Sequence, residues 1–178
     1  MRTLAILNLV VSLICAVIIT YTITIAVYAN RTLLGIKSYT PNLQLNYDVR
    51  DCPYSHSEIK NKLDKLYGNP FYFYKEKNLN DRVLGNADLL IRVVTIDNTP
   101  KLSGYVYAYA LSHELTHIIT LCGDEANTEY KSIIKLYESG DPYFMEVAKW
   151  ATMNRIQNYG KNGGYECGYY LQEYFRNI

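Results

Sequence analysis

Residues 103–122 read SGYVYAYALSHELTHIITLC. The spacing predicts one helix, and its flanks AYAL and IITL are apolar on both sides of a polar centre. A helix apolar around most of its circumference belongs inside a core rather than on a surface. Gly123 follows and is expected to end it. Working outward, Asp124 is a good N-cap for a helix over DEANTEYKSIIKLYES, whose buried face is expected to carry Ala126, Ile133, Ile134 and Tyr137. Gly140-Asp141-Pro142 then offers a stop, an N-cap and a first-turn proline for a third helix running to about Asn158. Gly160, Gly163 and Gly164 mark a loop before a last helix over YECGYYLQEYF.

Upstream, Ser55-His56-Ser57-Glu58 is a capping-box pattern ahead of IKNKLDKLYG. Ile59, Leu63 and Leu66 fall at helical spacing, with Gly68 as the stop. Phe71 to Lys75 (FYFYK) reads as a short strand and Asp88 to Asp97 (DLLIRVVTID) as a second, more buried one. The class is α+β, mostly α.

The buried helix contains His113-Glu114-Leu115-Thr116-His117, an HExxH. Positions i and i+4 share a helical face, so both imidazoles can reach one ion. Glu114, one residue on, points to the side, where it can take a proton from a water that the metal has acidified. Burying three titratable groups together is costly unless something partners them, and Zn²⁺ does so. A catalytic zinc usually takes a third protein ligand. Glu125, at the start of the next helix, is the choice; Asp124 has a competing task as N-cap, and His56 is far away in sequence. Glu129, Glu138 and Asp141 are candidates to hold the ring N–H of a ligand histidine. Tyr159, Tyr165 and Tyr169 are candidates to stabilise an oxyanion, in a chain with 19 tyrosines.

HELTH, GDEANTEY and ESGDPYF together resemble the zincin metallopeptidases of the HExxH-plus-Glu (gluzincin-like) type. Within these they are similar to a family of uncharacterised bacterial membrane proteins. That family carries a HELAH-type motif, a short loop, an E-D-E-A-N motif and an SDDPxF-like segment. The order matches over roughly residues 102–150. The resemblance implies His113 and His117 as zinc ligands, Glu114 as general base, and an acidic third ligand from the Asp124–Asn127 segment. Here Gly123 stands where the family tends to have an acid, and the loop is one residue shorter; Glu125 survives either alignment. The fold expected is a minimal zincin-like metallopeptidase domain behind one N-terminal transmembrane helix. In such folds a sheet edge beside the active-site helix pairs with an extended substrate, and the strand at Asp88 to Asp97 is the candidate edge.

The membrane helix rests on residues 1–30, where Arg2 is the only charged side chain. The run LAILNLVVSLICAVIITYTITIAVYA is long enough to cross a ~30 Å hydrocarbon layer as a helix. A long signal peptide cleaved after Val27-Tyr28-Ala29 is the rival reading, but the run exceeds the usual apolar core of a signal. The expected organisation is therefore an anchor over 1–30, contacting the membrane through 4–28, a connector over 31–55, and the metallopeptidase domain over 56–178. The protein is expected to be single-pass, with the domain on the extracytoplasmic side.

Residues 31–178 hold 17 basic and 17 acidic side chains, a balance that speaks against nucleic acid as a partner. Four cysteines, one of them Cys15 in the apolar run, show no C-x-x-C spacing. The function expected is hydrolysis of a peptide or protein substrate. The alternative is a non-catalytic, zinc-stabilised, membrane-tethered binding domain, and beyond it a structural domain with no metal.

Overall fold

The computed structural model describes residues 12, 14–20, 43–79, 83–98, 102–158 and 167–177. The chain divides into two units, Met1–Thr40 and Pro41–Ile178. In the first, Ser12 and residues 14–20 are helical, and the Thr20 hydroxyl donates to the Ala16 carbonyl at 2.8 Å. The expected membrane-spanning helix is corrected here. Among the described residues no helix is long and apolar enough to cross a membrane. The remainder of the 4–28 run lies outside the described residues. The fold is an α+β unit, and the single-pass membrane placement has no support from it.

Within Pro41–Ile178 the elements run α1 (His56–Leu66), β1 (Phe73–Lys77), β2 (Gly85–Asp88), β3 (Val93–Asp97), α2 (Gly104–Thr120), α3 (Glu125–Tyr137), α4 (Pro142–Asn158) and α5 (Cys167–Arg176). Both halves of the Ser55–Glu58 capping box are made, and Ile59 and Leu63 are fully buried. Gly68, at φ +77°, ends the turn after α1. Asp141 caps α4 by accepting from the Tyr143 and Phe144 amides at 2.9 and 3.4 Å.

The sheet has the order β1-β3-β2, with β1 parallel and β2 antiparallel to β3. The single strand expected at Asp88 to Asp97 is in fact two strand ends around a turn. Asp88 closes β2, its carboxylate accepts from the Leu90 and Ile91 amides, and Arg92 turns the chain at φ +52°. A run of branched residues looks extended whether or not a short polar side chain folds the backbone back at its start. β3 is therefore the central strand and not the edge. The edge beside α2 is β2, whose sequence Gly85-Asn86-Ala87-Asp88 carries no strand signal of its own. Val94 and Ile96 point from β3 into the core, and the pairing Gly85↔Ile96 and Ala87↔Val94 puts Gly85 and Ala87 on that same inward face.

Helix α2 runs through the middle of the unit. Ala108, Leu111, Leu115 and Ile118 are essentially inaccessible to solvent, and each aliphatic side chain of leucine size so buried contributes about 1.5–3 kcal/mol. The helix ends on Leu121 in the left-handed region at φ 50°, not on Gly123. The inner face of α3 also differs from expectation. It keeps the expected Ile133 and carries Thr128, Glu129, Ser132 and Leu136 in place of Ala126, Ile134 and Tyr137, because α3 lies against the polar stripe of α2 as well as against the apolar core.

Candidate metal centre and cleft

His113 and His117 are one turn apart on α2, so their rings emerge together, with centroids 4.7 Å apart. Their Nε2 atoms are 3.0 Å from each other. Glu125, the first residue of α3, reaches them from the side, with Oε2 3.1 Å from His113 Nε2 and Oε1 3.4 Å from His117 Nε2. One donor atom from each of the three lies within 4.8 Å of the others; among the described residues this is the only such group. A tetrahedral ion with bonds of about 2.0–2.1 Å holds its donors about 3.3 Å apart, so the separations fit a zinc-sized ion. Asp124 caps α3 by accepting from the Asn127 amide at 3.1 Å, and that cap sets Glu125 at the helix start.

The second nitrogen of each ring faces a protein acceptor. His117 Nδ1 is 2.6 Å from the Cys122 carbonyl oxygen, with the Thr128 hydroxyl at 3.3 Å. The left-handed Leu121 delivers that carbonyl, a conformation that costs about 1–2 kcal/mol for a residue with a Cβ. His113 Nδ1 is 3.1 Å from Glu129 Oε2, but not aligned as a hydrogen bond, and is otherwise a buried nitrogen without a partner. A metal on Nε2 requires the proton on Nδ1 in both rings, which is where these acceptors wait. Burial, reinforced by the neighbouring His117, holds the His113 imidazole down to about 4, so it is neutral and free to ligate near pH 7.

Glu114 is 6% exposed, and burial together with the Glu125 charge pushes its carboxyl up to about 8. A Cβ added at Gly85 would stand 2.9 Å from both Cγ and Oε1 of Glu114, so edge strand β2 passes directly over this carboxylate. Two cavities flank the cluster. One, of about 300 Å³, is lined by residues including Gly85, Ala87, Leu89, Glu114, His117 and Glu125. The other, of about 280 Å³, is lined by residues including Leu84, Tyr109, His113, Glu114, Glu125 and Arg155. They share Gly85, Glu114 and Glu125, which makes them two arms of a cleft with the donor cluster between.

Of the other sequence candidates, only Glu129 joins the site. Glu138 accepts from the Tyr174 hydroxyl at 2.7 Å, and Asp141 pairs with Lys62 at 2.9 Å. His56 stacks on Tyr107 at 4.1 Å and bonds the Leu102 carbonyl. Tyr159, Tyr165 and the side chain of Tyr169 lie outside the described residues. Sequence reasoning missed Tyr109, Arg155 and Gly85. Tyr109 stands four residues before His113 and so shares its face; Arg155 and Gly85 have no local signal. Compared with known proteins, the chain matches no family, no curated protein and no solved structure.

Proposed function

We propose that this chain is a zinc-dependent peptidase, with His113, His117 and Glu125 holding the metal and Glu114 acting as general base. The observation that carries the reading is the convergence, in one cleft, of a three-donor cluster, a buried carboxylate and the edge strand of the described sheet. Bound zinc would supply Lewis acidity, acidifying a coordinated water and taking up charge that develops on the scissile carbonyl oxygen. Glu114 removes the water proton as the water attacks the carbonyl carbon. The same carboxyl then passes that proton to the departing amine nitrogen as the C–N bond breaks. Its place in the cleft, lining both arms beside the donor cluster, suits it to both steps.

β2 orients the substrate. Its outward backbone amides and carbonyls are available to an extended peptide, and the cleft arms on either side of the donor cluster give room to both halves of the chain. The non-catalytic zinc-domain alternative needs the metal's remaining position closed by protein. The cavity beside Glu114 and Glu125 argues against that.

Glu114→Gln keeps the size of the side chain and removes the base. Zinc content is expected to stay at the wild-type level while cleavage of a fluorogenic peptide library falls about 10²–10⁴-fold. Undiminished cleavage by a folded, zinc-loaded E114Q chain would remove Glu114 from this role.

A further inference from the structure

Glu125 and Glu129 are one turn apart on α3, and their carboxylates face opposite nitrogens of the same ring. Glu125 Oε2 is 3.1 Å from His113 Nε2, and Glu129 Oε2 is 3.1 Å from His113 Nδ1. The Glu129 carboxylate is thus the acidic group nearest the otherwise unpartnered Nδ1 of His113. That carboxylate is 4% exposed, and its other oxygen is engaged twice. Arg155 Nε, from α4, is 2.5 Å from Oε1, and the Tyr109 hydroxyl, from α2, contacts the same oxygen. Arg155 also bonds the Tyr109 hydroxyl through Nε at 3.2 Å and through Nη2, and its guanidinium carbon lies 5.6 Å from the centre of the Tyr109 ring.

We propose that Arg155 and Tyr109 are positioning residues of the metal centre, acting through Glu129 on the orientation of His113. This rests on the metal-site reading above. The argument is geometric. A carboxylate with both Oε1 contacts made can swing only about one axis, so Oε2 stays directed at His113 Nδ1. The planar guanidinium fork meets a carboxylate oxygen and a hydroxyl together, which a lysine ammonium cannot reproduce. Three helices, α2, α3 and α4, thereby meet at one oxygen, and the arrangement ties helix packing to a ligand of the site. The donor cluster is His113, His117 and Glu125, so neither residue is counted among the ligands.

The test is the zinc dissociation constant of the full chain, measured by competition with a chromophoric chelator, for wild type, Arg155→Gln, Arg155→Lys and Tyr109→Phe. Loss of such outer support typically weakens metal binding 10–100-fold. R155Q is expected in that range, R155K between R155Q and wild type, and Y109F with a smaller loss. The visible absorption of the cobalt-substituted chain is expected to shift in R155Q, a signature that a role in packing alone would leave unmoved. Circular dichroism confirms folding; should R155Q fail to fold, R155K and Y109F carry the same comparison. Wild-type zinc affinity and an unmoved cobalt spectrum in the folded variants would overturn the positioning role while leaving the metal site standing. A wild-type chain that binds no zinc would overturn the metal-site reading itself.

Discussion

Gly85→Ala is the perturbation that probes the cleft most selectively. The new methyl would stand 2.9 Å from Glu114 Cγ and Oε1 and 3.1 Å from Ile96 Cδ1, where ordinary contact begins at about 3.4 Å. The crowded Glu114 atom is Cγ as well as the carboxylate tip, so rotating the tip does not relieve the clash. Either the Glu114 side chain or β2 must move by about half an ångström. Overpacking of this kind costs about 1–3 kcal/mol. Replacing glycine in a strand returns about 0.4–1 kcal/mol through the unfolded chain, leaving a net loss of about 1.3 kcal/mol at mid-range and at most about 2.6 kcal/mol. At about 2–4 °C per kcal/mol for a unit of this size, the melting midpoint drops by several degrees. A misplacement approaching 1 Å at a proton-transferring group costs up to about 10²-fold in rate, so kcat is expected to fall about ten- to a hundred-fold. His113, His117 and Glu125 are untouched, and zinc affinity is expected to stay within about twofold of wild type. The assay is three readings on one preparation: thermal midpoint, chelator competition and peptide turnover. A G85A chain with full turnover and an unchanged midpoint would show that β2 does not lie over Glu114 as described.

Two further outcomes follow from the same geometry. Burial raises Glu114 to about 8, so in the metal-free chain it is mostly protonated at pH 7; a bound dication favours its ionised form and expels that proton. Calorimetric zinc titrations in buffers of different ionisation enthalpy should therefore show close to one more proton released by wild type than by E114Q at pH 7, with the difference vanishing above about pH 9. The Tyr67 hydroxyl bonds the Ser112 and Thr116 hydroxyls, one position before each histidine on α2, at 2.7 and 2.9 Å, and burial pushes it up to about 12. Tyr67→Phe leaves those groups short of a partner and is expected to cost about 1–3 kcal/mol in urea unfolding, with zinc affinity unchanged.

Local chemistry made much of this architecture legible. The Ser55–Glu58 box, the Asp124 cap and the Gly-Asp-Pro start of α4 each use side chains that satisfy backbone groups within three residues, and all three are made. The side-by-side placement of His113 and His117 follows from helical periodicity alone. Glu125 came within reach by the same logic, since a capped helix starting just after a tight turn has few places to put its first carboxylate. What the sequence left hidden depends on pairing at a distance. β2 is a strand because β3 offers it a partner, not because Gly, Asn, Ala and Asp favour extension. Arg155 meets Glu129 from 26 residues away, across a helix packing that no local pattern specifies. Leu121 takes a left-handed turn usually left to glycine because the Cys122 carbonyl it delivers satisfies His117. Thr128 and Ser132 carry no apolar signal and are buried on α3 because His117 and Ser112 supply their partners.

The central claim is that His113, His117 and Glu125 form a metal site. Zinc content of the full chain, purified without chelators and dialysed against micromolar zinc, tests it most directly. One zinc per chain is expected for wild type, with a loss of most of it in His117→Ala. Substoichiometric zinc in every wild-type preparation, or unchanged zinc in H117A, would contradict it.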